Sequence, residues 1–100
     1  MSKSVWLVED LLSRQRLEQE GITAICLLGT NIHNSLVDVL INKHSDCTIV
    51  LALDADATAK SVYWKQTIGY LFRNFTVCPL SKDIKDMTEE ELRILLESNK

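Results

Sequence analysis

The chain has 100 residues, 46% hydrophobic and 25% charged, with three Gly and one Pro, a composition that supports one globular domain over residues 1–100 and excludes intrinsic disorder. No apolar run approaches the ~20 residues needed to cross a bilayer, and the opening MSKSVWLVED meets an acid too early for a signal peptide, so a cytoplasmic protein with no membrane association is expected. A net charge of −3 leaves no basic surface overall and argues against strong autonomous nucleic-acid binding through clustered Lys and Arg.

Ser4 to Val8 (SVWLV) is a short run rich in β-formers that stops at Glu9 and Asp10, a first strand with acids at its carboxyl end. Asp10 to Gln19 follows with Leu11, Leu12 and Leu17 at the spacing of an amphipathic helix, and Gly21 is placed to stop it. Thr23 to Leu28 (TAICLL) is a second buried strand closed by Gly29. Thr30 and Asn31 are placed to cap a helix over Ser35 to Lys43, with Leu36, Val37, Leu40 and Ile41 as its apolar stripe. His33 and His44 fall at the two ends of this segment without a second His or Cys at ligand spacing, so a loop position and a partner for the helix dipole are expected.

Ile49 to Leu53 are five consecutive apolar residues, the pattern of a strand buried on both faces. Thr58 to Leu71 reads as a third helix, its buried side marked by Val62, Tyr63, Ile68 and Leu71, with Gly69 late enough to end it early. The aromatic side chains of Tyr63, Trp64 and Phe72 are expected in the core. Phe75 to Leu80 (FTVCPL) gives a fourth strand, with Pro79 at its end. A polar loop, Ser81 to Asp86, precedes a last helix that Thr88 and Glu91 start at capping-box spacing, with Leu92, Leu95 and Leu96 on its apolar side. Cys26, Cys47 and Cys78 are odd in number and widely spaced, which predicts free thiols rather than disulfides or a metal site.

The four alternations of strand and helix favour a doubly wound α/β fold, a four-stranded parallel sheet with helices on both faces. Asp54 and Asp56 stand where the central strand ends, and the carboxyl ends of such strands are where ligands bind. Two oxygen donors at i and i+2 suit a hard cation such as Mg²⁺, whereas without an ion one Asp caps the next helix and the other is solvated. For Glu9 to join them, the first and third strands must be neighbours, since adjacent strands lie only ~4.8 Å apart. That requirement selects the strand order 2-1-3-4.

VWLVED (5–10), GITAICLLGT (21–30), LALDADA (51–57) and SKDIKDMTEEEL (81–92) together resemble the Toprim domain shared by primases and topoisomerases, nearest to the phage and bacterial DNA primase branch, over nearly the whole chain. The resemblance makes Glu9 the counterpart of the family glutamate, Asp54 and Asp56 the metal-binding pair, and Lys82, Asp83 and Asp86 the primase K-D-x-x-D loop. Asp10 stands where the family glutamate is followed by glycine, and Thr58 and Ala59 replace a small-Gly pair. What it implies is Mg²⁺- or Mn²⁺-dependent phosphoryl or nucleotidyl transfer on nucleic acid or nucleotides, with a protein partner in replication or transcription. Glu9 is then general acid/base or second-metal ligand, and Lys60 or Lys82 steadies a phosphate. A stand-alone regulatory or interaction module of phage type is the alternative reading, and a small metal-dependent nuclease ranks third.

Overall fold

A computed structural model describes residues 3–44 and 46–99; residues 1, 2, 45 and 100, which the single-domain expectation also spans, lie outside the described ones. The elements follow in the order β1 (Ser4–Val8), α1 (Leu11–Gln19), β2 (Thr23–Cys26), α2 (Asn34–His44), β3 (Thr48–Ala52), α3 (Thr58–Ile68), β4 (Asn74–Val77) and α4 (Glu89–Ser98). Short 3₁₀ turns at Ala55–Ala57, Gly69–Leu71 and Ile84–Asp86 punctuate the second half. All strand pairings are parallel, and the order is β2-β1-β3-β4, as the shared-metal argument required. No helix among the described residues is long and apolar enough to cross a membrane.

The apolar runs of β1 and β3 are uninterrupted because both faces of these strands are covered. Successive side chains point to opposite faces, so Val5, Leu7, Ile49 and Leu51 join one core with Val37 and Leu40 of α2 and Ile68 of α3. Trp6, Val8, Val50 and Ala52 join the other, with Leu17 of α1 and Leu92 of α4. The register Val8↔Ala52 ends the two central strands level with one another, so the residues that follow them emerge side by side.

Several boundaries and faces differ from the pattern reading. In α1, Leu11 and Leu12 are exposed, and the buried face is Ser13 and Leu17. In α3, Val62, Tyr63 and Leu71 face solvent while Ser61, Trp64 and Ile68 turn inward. Trp64 sets that rotation, because its indole N–H donates to the Thr30 carbonyl at 2.8 Å and a half-buried indole N–H needs a partner. Gly69 does end the α-helix, and a Cβ there would meet Phe75 at 3.6 Å. The second helix starts at Asn34, with the His33 carbonyl accepting from Leu36 and Val37, so Thr30 and Asn31 lie too early to cap it. His33 lies exposed in the loop before α2, and His44 is the last residue of α2. The fourth strand begins one residue early and stops at Val77, two residues before Pro79, which lacks the N–H that a ladder needs. The polar loop hides Ile84, which is 1% exposed and anchors its 3₁₀ turn under α1. The three cysteines are free, Cys78 buried and the other two half-buried.

Candidate metal centre

Glu9 leaves the end of β1, and Asp54 and Asp56 follow β3 in the turn before α3. The structure brings the three together: one carboxylate oxygen from each lies within 4.8 Å of the others. Glu9 and Asp54 are half-buried and Asp56 is exposed, so the cluster opens to solvent on one side. Glu9 Oε2 accepts the Asp54 backbone N–H at 2.6 Å, which ties the two strand ends together and leaves the second carboxylate oxygen uncommitted to that bond.

The turn after β2 supports Glu9 from the other side. The Gly29 N–H donates to the Glu9 carbonyl at 3.2 Å, the Leu27 N–H donates to the Val8 carbonyl at 2.7 Å, and the Cys26 thiol lies 3.6 Å from the Glu9 carbonyl. To make this return the chain enters the left-handed region at Leu28 (φ 55°) and stays at positive φ at Gly29 (φ 143°). A left-handed leucine costs on the order of 1–2 kcal/mol, and here the side chain is 76% exposed and gains little packing in return.

Electrostatics single out Asp54. Partial burial, the neighbouring Glu9 charge and Asp83, through both a hydrogen bond and its charge, with a smaller push from Asp10, raise the Asp54 carboxyl from 3.8 to about 6. Asp83 therefore belongs to the rim, although the sequence reading left it out of the metal set. Its position depends on the buried Ile84 beside it, and an i+1 apolar anchor inside a charged loop was the available signal. Asp10, the residue in place of glycine, turns away: its carboxylate caps α1 by accepting from Ser13 N–H at 2.7 Å and pairs with Lys85 at 3.6 Å. Burial works against that carboxylate, but the Ser13 N–H and the Lys85 ammonium outweigh it and hold the acid below its ordinary value. Lys85, which also approaches Asp83 at 4.0 Å, links the charged loop to Asp10 and was not singled out from sequence.

Lys60 and Lys82 occupy different settings. The Lys60 ammonium lies over the Tyr63 and Trp64 rings at 5.6 and 5.8 Å, one turn into α3. Lys82 is engaged by both oxygens of Glu91 at 3.1 Å. The acidic total also conceals a segregation: residues 57–82 hold Lys60, Lys65, Arg73 and Lys82, four of the chain's 11 Lys and Arg, and none of its 14 Asp and Glu. Among the described residues, Lys60, Lys65 and Arg73 make no ion pair; Lys60 lies in the first turn of α3, at the rim end, whereas Arg73 precedes β4 at the opposite edge of the sheet.

The donor set fits a hard divalent cation. All three candidate donors are carboxylates, the type Mg²⁺ and Mn²⁺ prefer, and the raised Asp54 carboxyl reflects partial burial and the acids gathered around it.

Neither protein-family models nor curated protein sequences give a match to this chain. Its structure is similar to that of a small TOPRIM domain protein from Bacillus stearothermophilus, with a TM-score of 0.70 at 15% identity, covering 99% of this chain and 86% of that one. At that level of identity the likeness speaks to architecture, and the chain has the Toprim fold.

Proposed function

We propose that this Toprim fold binds Mg²⁺, or Mn²⁺, through Glu9, Asp54 and Asp56, and carries out primase-like nucleotidyl transfer on nucleic acid together with partners that supply template binding. The observation that carries this reading is the meeting of three carboxylates from two separate segments within 4.8 Å at the carboxyl rim of the sheet. When bound, the ion neutralises phosphate charge and lowers the pKa of the attacking hydroxyl.

The chain's own groups do the rest. The Asp54 N–H fixes the orientation of the Glu9 carboxylate beside Asp54 and Asp56, where Glu9 serves as ligand or as general acid/base. Asp54, its carboxyl raised to about 6 by burial and by the neighbouring Glu9 and Asp83, is the rim acid whose proton a bound cation would displace. Lys60, unpaired with any carboxylate, is the better phosphate partner of the two candidate lysines, because Lys82 must first leave Glu91.

The test is to combine the protein with the zinc module and basic subdomain of a bacterial primase lacking its own Toprim domain, on a single-stranded template with Mg²⁺ and ribonucleotides. Primer synthesis that disappears with Asp54→Ala supports the reading; no synthesis by the combination, with template bound, counts against it. A second reading, a stand-alone regulatory module, draws support from the net charge of −3 and from the likeness to a protein described as small. It predicts Mg²⁺ binding without primer synthesis or cleavage of labelled DNA or RNA in the same assay.

A further inference from the structure

Beside the acidic rim, between the first turn of α3 and the exit of β4, lies a cavity of about 270 Å³. Its walls are Leu53, Val62, Val77, Pro79 and Leu80, and Asp54 stands among its lining residues. The volume is close to the lower end of the ~300–1,000 Å³ typical of small-molecule clefts, which are mostly apolar with a few placed polar groups. The polar groups here are Thr58 and Ser61, whose hydroxyls already donate to the Ala55 and Ala57 carbonyls at 3.1 and 3.2 Å. What they offer a guest is oxygen lone pairs, which match the amino and imino N–H groups of a base.

We propose that this cavity holds the base and sugar of a nucleotide whose phosphates lie on the rim. The inference rests on the rim binding Mg²⁺ and adds where the rest of the substrate goes. A guest must have an apolar body for the walls and, at the Asp54 end, either no negative charge or a cation to carry it. A nucleotide with Mg²⁺ meets both conditions. A hydrophobic peptide side chain meets only the first and makes no use of the shared carboxylate. Pro79 and Val62 provide flat aliphatic surfaces on the solvent side; Val62, 46% exposed, explains why a β-branched apolar residue faces outward on α3.

Adenosine and uridine without metal, and AMP and UMP with Mg²⁺, are titrated while the methyl resonances of Leu53, Val62, Val77 and Leu80 are followed. The expected result is a shared set of shifts at these methyls, at millimolar nucleoside and at least tenfold lower concentration of nucleotide with Mg²⁺. Val62→Trp, a surface substitution that fills the mouth, weakens both at least tenfold and leaves the Mg²⁺-induced thermal shift in place. Asp56→Asn removes the Mg²⁺ shift and leaves nucleoside binding. Shifts that fall elsewhere, no shifts at saturating nucleotide, or unaltered binding by Val62→Trp overturn the pocket assignment. Nucleoside binding without any Mg²⁺ response in the parent protein overturns the metal reading instead.

Discussion

The chain concentrates acids in two places, and they behave in opposite ways. At the start of α4, Glu89, Glu90 and Glu91 crowd the first turn, where the helix dipole favours negative charge. Glu91 accepts the Thr88 N–H at 2.9 Å, Thr88 Oγ1 accepts the Glu91 N–H at 3.1 Å, and Lys82 pairs with the same carboxylate. The Thr88 N–H, followed by Lys82, holds the Glu91 carboxyl below its usual value. At the rim, Glu9, Asp54 and Asp83 face one another, and Asp54 is pushed up to about 6. Acids with partners stabilise the fold; acids aimed at each other cost stability, which a bound cation would restore.

The largest effect that this contrast predicts is on the metal response. Mg²⁺ at about a hundred times its dissociation constant should add ~2.7 kcal/mol of stability, seen as a rise in thermal midpoint, and Glu9→Gln or Asp56→Asn should remove most of it. An equal rise in both variants would place the ion elsewhere.

Next in size is the metal-free behaviour of Asp54. Between pH 3.8 and about 6 the folded state holds more protons at this site than the unfolded state, so stability falls as pH rises through that window. Asp54→Asn should therefore stabilise the metal-free protein at pH 7 by on the order of 1 kcal/mol, after allowing for solvent screening of a partly exposed group. Denaturant melts from pH 4 to 8 read it; a variant that is less stable at pH 7 would mean the rim acids are paired after all.

Thr88→Ala should cost ~1 kcal/mol, the ordinary loss of an N-cap, and should leave the Mg²⁺ response unchanged. Glu91 runs in the opposite sense to Asp54: its contribution is present above its unfolded pKa of 4.5 and is lost as pH falls further, a slope that Glu91→Gln should flatten. Smallest is Lys82→Met, which breaks an exposed ion pair of the kind that contributes little. Its midpoint should hardly move, and a loss of nucleic-acid binding in that variant would assign Lys82 to phosphate.

The same division explains what could be read from residues alone. The central strands were legible because burial on both faces leaves an unbroken apolar run, and the level ends of β1 and β3 follow from their pairing. The capping box was legible because its partners are three residues apart. Faces of α1 and α3 were not, since helix rotation there is set by distant contacts, Trp64 to Thr30 and Arg16 to the Met87 carbonyl at 2.7 Å. Asp83 was legible as part of the K-D-x-x-D loop but not as a neighbour of Asp54, since only the folded loop, pinned by Ile84, brings the two together.

The central claim is tested most directly by adding substoichiometric Mn²⁺ to isotopically labelled protein and following paramagnetic broadening of the backbone amides. The amides of Glu9, Asp54 to Ala57 and Asp83 should broaden first, with those of Glu89 to Glu91 unaffected at the same concentration. Equal broadening at both acidic clusters, or at α4 alone, would contradict it.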